Sequence, residues 1–133
     1  MTMDTTNSYA ASDTDNTPIL NQEQLNVIRN LDPACGDALV NKILQVFLET
    51  SVDLTRQIEE AINNTDAESL RHAAHTLKSS SANVGAESLS VIAQKLELCG
   101  KSGEFEQVGQ LHDNLQQRYQ KVITEIRQML KQS

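Results

Sequence analysis

The chain has 133 residues, of which 38% are hydrophobic and 22% charged, enough for one domain with a single modest core. A formal net charge of −7 disfavours nucleic acid as a partner, because phosphate backbones are held by basic faces. Aromatics at 3%, no Trp, 5 Gly and 2 Pro leave an aliphatic helical fold as the expectation and argue against a turn-rich β-sandwich or barrel.

Residues 1–17 are polar and contain no Lys or Arg. Such a segment buries too little apolar surface to offset its ordering entropy, so a disordered tail or an interdomain linker is expected. Order is expected from Pro18. Asn21 is a good N-cap with Gln24 three positions on, and Leu20 and Leu25 can form a hydrophobic staple. This first helix should be short and end near Asn30, before Asp32-Pro33.

From about Asp37 the positions Leu39, Ile43, Phe47, Leu54, Ile58 and Ile62 recur at helical spacing, predicting a long helix that runs to Asn63-Asn64. Thr65-Asp66-Ala67-Glu68 has the pattern of a capping box. The helix it opens places Leu70, Leu77 and Val84 at seven-residue intervals, and Gly85 suits the turn that follows. The next helix carries Leu89, Ile92, Ala93, Leu96 and Cys99 on one face, with Gly100 and Gly103 expected to bracket the turn after it. The last has Phe105, Val108, Leu111, Leu115, Val122, Ile126 and Met129. The pattern as a whole predicts an all-α fold: an antiparallel up-down-up-down four-helix bundle with a short additional N-terminal helix across one end.

No apolar run approaches the roughly 18–20 residues of a membrane span, so direct membrane insertion is not expected. The N-terminal stretch lacks the basic and apolar regions of a secretory signal. Cys35 and Cys99 fit no Cys-x-x-Cys pattern and read as two free, core-facing thiols of a reducing compartment.

Helical phase singles out His75. At about 100° per residue, with Leu77 facing the core, Leu70, Ala73, Ala74, Ser80, Ser81 and Val84 lie within about 60° of it, and His75 lies about 160° away. Ser79 and Ala82 continue the same outward strip toward the C-terminus, flanked by Arg71 and Lys78. Small residues beside an outward imidazole leave room for another protein to reach it. Lys78, at i+3, can bring a positive charge to an anion carried there. A neutral imidazole is a competent nucleophile near physiological pH.

A lone surface histidine on a helix usually carries no function, and the surrounding residues decide the matter. The stretch His75-Thr-Leu-Lys-Ser-Ser-Ser-Ala-Asn-Val-Gly85-Ala86 resembles the histidine-containing phosphotransfer (Hpt) family of two-component phosphorelays. The matching positions are His75, Leu77, Lys78, Ser80, Ser81 and Gly85, preceded by Arg71 and Ala74, and helix order fits over residues 18–133. The family commonly has Gly where this chain has Ser79.

The resemblance implies reversible transfer of a phosphoryl group between His75 and an aspartate of a response-regulator receiver domain. An upstream hybrid histidine kinase would feed the relay. It also implies that the chain is a phosphocarrier and not a self-sufficient enzyme. Lys78 would neutralise phosphate charge, and Arg71, Ser79, Ala82, Asn83 and Glu97 would meet the partner. Glu97 matches the polar position that the family places beside the histidine. It could hold one ring nitrogen as N–H, although it would also repel an attached phosphate. No cofactor of the chain's own is expected, the Mg²⁺ being the receiver's. A cytoplasmic monomer is expected, either stand-alone or the C-terminal module of a hybrid sensor kinase.

Three rival readings are weaker, one of them a plain helical adaptor with a partner groove, since the Leu stripes are more economically explained as the bundle's own core. A metal-binding bundle could use His72 and His75, but di-iron bundles use core-facing Glu-x-x-His pairs, which this sequence lacks. A pseudo-phosphotransfer bundle would be expected to have lost the His or the Lys. His112, next to Leu111, reads as a boundary histidine.

Overall fold

The computed structural model describes residues 18–132, so the expectation for residues 1–17 lies outside the described residues. Five helices follow one another: α1 (Gln22–Asn30), α2 (Gly36–Asn63), α3 (Ala67–Asn83), α4 (Glu87–Ser102) and α5 (Val108–Gln132). The four longer ones form a closed antiparallel ring in which α3 packs on α2 and α4, and α5 packs on α4 and α2. No strand occurs among the described residues.

The short α1 closes one end of the ring, and its sequence explains how. Asn21 caps the helix by accepting the Gln24 N–H at 3.2 Å, and Leu20 and Leu25 are both buried as a staple requires. Gln24 does not turn back on the cap. Its amide donates to the carbonyls of Ala82 (2.7 Å) and Asn83 (3.2 Å), the frayed end of α3. The Asn21 N–H donates to the Gly85 carbonyl at 2.8 Å. Gly85 is required twice over: its φ is +80°, and a Cβ there would lie 3.0 Å from the Asn21 nitrogen.

The expected stripe on α2 needs rotating. Val40, Leu44, Phe47, Ser51, Ile58 and Ala61 are buried, while Leu39 is exposed and Ile43, Leu54 and Ile62 are half-buried. The adjacent pairs Leu39-Val40, Ile43-Leu44 and Ala61-Ile62 make two phases nearly equal on apolarity, and packing chooses the one that buries Ser51. That hydroxyl is satisfied by Tyr119 of α5 at 2.8 Å.

The cap of α3 also sits one residue later than the capping-box reading. Thr65 belongs to the end of α2, in the left-handed region at φ +50°, with its N–H donating to Ile62 O and that of Asp66 to Ala61 O. Asp66 is the true N-cap. It accepts the Ser69 N–H at 3.1 Å and the Ser69 hydroxyl at 2.7 Å. These bonds favour the carboxylate and hold the Asp66 pKa below its ordinary range.

Three further expectations are corrected. Gly100 lies inside α4 and not in the following turn, which is made by Gly103 at φ +74°. Phe105 precedes α5, half-buried, and the α5 core face adds Tyr119 and Ile123. Cys35 is exposed and so is not a core thiol, whereas Cys99 is half-buried and packs against the core as expected, and both are free. No helix among the described residues is long and apolar enough to cross a membrane.

Candidate functional site

Leu70, Ala73, Ala74, Leu77 and Ser81 of α3 and Val84 just past its end are buried, and Ser80 is half-buried. This phase turns His75 outward with a side chain 56% exposed. Ser79, Ala82 and Asn83 are exposed along the same strip. His72 is exposed one turn before. Arg71 is half-buried and ion-paired with Glu68 of its own helix, so its guanidinium is not committed to His75. His112 is half-buried and bonded to Gln116, as suits a boundary residue.

Glu97 of α4 reaches His75 from below. It is a charged residue in a buried position, its side chain 5% exposed. Oε2 lies 2.9 Å from His75 Nδ1 and Oε1 lies 2.8 Å from Lys78 Nζ. The Lys78 ammonium bonded to it holds the Glu97 pKa below the ordinary 4.5, against the opposing effect of burial, with His75 helping. An ionised carboxylate only accepts, so Nδ1 is the donor in this bond. In the neutral ring the lone pair then sits on Nε2, on a side chain 56% exposed.

Two features fix this geometry. Gly100 brings the helix backbones together: a Cβ there would stand 2.6 Å from Arg71 N and 2.8 Å from Ala67 O. The Ser90 hydroxyl donates to the Lys78 carbonyl at 2.9 Å, a second tie from α4 to α3. Neither role is written in periodicity. Lys101, one turn beyond Glu97 with Nζ 3.9 Å from Oε2, was signalled by its i,i+4 spacing but is absent from the expected set.

Two measurements check this cluster. Lys78→Ala removes the nearest cation from a buried carboxylate and should cost about 1–3 kcal/mol in urea denaturation. Adding Glu97→Gln should restore most of that loss. Because the folded-state pKa of Glu97 is depressed, its contribution is fully present above about pH 4.5 and is lost as pH falls through the folded value. Stability measured across pH should therefore show the wild-type chain losing ground against Glu97→Gln only on the acid side. A parallel pair of curves would contradict the bonded carboxylate.

Among the described residues there is no group of three or more His, Cys, Asp or Glu placed to hold a metal ion. What the arrangement offers is one nucleophilic nitrogen, locked in tautomer and open to a partner, on a rigid helical bundle. The Hpt domain family model matches residues 42–132, and the chain belongs to that family, the histidine-containing phosphotransfer domains of phosphorelays. The match leaves α1 and the first turns of α2 outside. The crystal structure of histidine-containing phosphotransfer protein B (HptB) from Pseudomonas aeruginosa PAO1 is similar with a TM-score of 0.78. The likeness covers 87% of this chain and 97% of that one at 24% identity, a level that speaks for the fold. A search of curated proteins gives no match.

Proposed function

We propose that His75 carries a phosphoryl group on Nε2, taken from and returned to the aspartate of a response-regulator receiver domain. The observation that carries this reading is the 2.9 Å bond from Nδ1 to the buried Glu97. The Nε2 lone pair attacks phosphorus, the P–O bond to the aspartate breaks, and the carboxylate leaves with its electron pair. The ring then bears a positive charge, with the proton still on Nδ1 and held by Glu97. In the reverse step the P–N bond breaks and a neutral imidazole leaves, which is a far better leaving group than imidazolate. Neither direction requires a proton to enter or depart.

Lys78, on the same helix three residues on, neutralises charge on the transferred group. The Mg²⁺ and most of the charge stabilisation come from the receiver, and a hybrid histidine kinase stands upstream. Arg71, Ser79, Ala82 and Asn83 border the contact, and the phosphocarrier works as a cytoplasmic monomer.

Incubation of the chain with a phosphorylated receiver domain tests the reading. It should leave acid-labile, alkali-stable phosphate on the chain, and absence of such label with every receiver offered would refute it. Ser79 sits one turn from His75 where the partner must pass. Ser79→Gly should transfer as fast or faster, while losing about 0.5 kcal/mol of stability because glycine is the poorer helix former. A clear slowing would instead assign the hydroxyl a part in the contact.

A further inference from the structure

Glu97 has more N–H donors and cations around it than it has oxygens. From α3 come His75 Nδ1 at 2.9 Å and Lys78 Nζ at 2.8 Å, with Arg71 adding a weaker charge while paired to Glu68. From α4 itself comes Lys101, whose ammonium stands 3.9 Å from Oε2, beyond hydrogen-bond distance, on a side chain 56% exposed. Lys101 is thus close to the carboxylate and not yet committed to it.

A phosphoryl group on His75 upsets this balance. It brings up to about two negative charges to the ring, and Lys78 is the cation that shares its helical face. Lys78 cannot serve the phosphoryl oxygens and Glu97 at full strength. Water cannot take its place on a carboxylate that is 5% exposed.

Resting on the reading of His75 as the phosphate carrier, we propose that Lys101 is the replacement counterion of Glu97. When His75 is phosphorylated, Lys78 turns to the phosphoryl oxygens and Lys101 closes onto the carboxylate. Glu97 stays charged and keeps its hold on the Nδ1 proton. The exchange trades ion pairs and makes or breaks no covalent bond. Lys101 is a positioning residue, acting on the ring through Glu97.

The experiment phosphorylates the full-length chain with phosphoramidate, from which the ring takes the phosphoryl group as ammonia leaves. Labelling level is followed in wild type, Lys101→Met and Lys101→Arg, together with the lysine ammonium NMR signals of wild type. Lys101→Met should lower the steady-state phosphohistidine level about two- to five-fold, with unchanged helicity and unchanged melting of the unphosphorylated chain. Lys101→Arg should restore the level, which loss of mere packing would not allow. In wild type both the Lys78 and the Lys101 signals should move on phosphorylation. Label at His75 with Lys101→Met equal to wild type, or with a stationary Lys101 signal, overturns the exchange alone. No label at His75 in wild type overturns both the exchange and the function on which it rests.

Discussion

His75→Gln is expected to abolish transferable phosphate completely while leaving the bundle folded. The side chain is outward on α3, so nothing in the core depends on it. Glutamine keeps an N–H donor that can reach Glu97, yet it has no nucleophilic nitrogen, since the amide lone pair is delocalised. The stability change should stay within about 1 kcal/mol, the scale of one hydrogen bond remade in poorer geometry. Circular dichroism melting together with label transfer from a phosphorylated receiver measures both halves. Label persisting in this variant would move the site to another residue. A collapse in melting temperature would mean that the imidazole is structural.

Gly100→Ala is expected to destabilise the bundle and slow transfer together. The added carbon would stand 2.6 Å from Arg71 N and 2.8 Å from Arg71 Cα, backbone atoms that cannot rotate aside. The helices must part, and overpacking of this kind costs about 1–3 kcal/mol, offset by up to about 1 kcal/mol from the better helix propensity of alanine. The damage should reach the site. Gly100 lies one turn beyond Glu97 and Arg71 one turn before His75, so widening the helices there stretches the 2.9 Å bond to Nδ1. Urea unfolding and the transfer rate should fall together. Gly109→Ala is the control, since no atom lies within 4 Å of its Cβ position. If both alanines behaved alike, the close approach of α3 and α4 would be refuted.

Much of this could be read in the residues before any coordinates. The heptad Leu70-Leu77-Val84 fixed the phase of α3 and hence the outward aim of His75, because its neighbours at core positions are unambiguous. Asn21, Leu20 and Leu25 likewise defined the start of α1 through local chemistry alone. The errors fall where two local solutions have nearly equal merit. On α2 paired apolar residues left the phase open, and a buried serine hid the answer. Thr65 and Asp66 are both good caps, and only the left-handed turn at Thr65 separates them. Gly100 reads as a turn because glycine usually punctuates helices, whereas here it is a contact between two backbones. Glu97 was reached by family resemblance, since the register of α4 against α3 is a long-range property. Lys101 stands near that carboxylate through i,i+4 spacing within α4, a pattern the residues do state.

The Ser51–Tyr119 bond has a consequence for how the chain finds one arrangement. Most of the core is built of leucine, isoleucine, valine and alanine, side chains that tolerate rotation or sliding of one helix against another with little loss. The two hydroxyls meet at 2.8 Å only in one alignment of α2 with α5. A misaligned packing parts the two, and a buried hydroxyl left without a partner costs about 1–3 kcal/mol. A pair that adds little to the depth of the native minimum therefore disfavours its competitors and sets how α2 and α5 lie against each other.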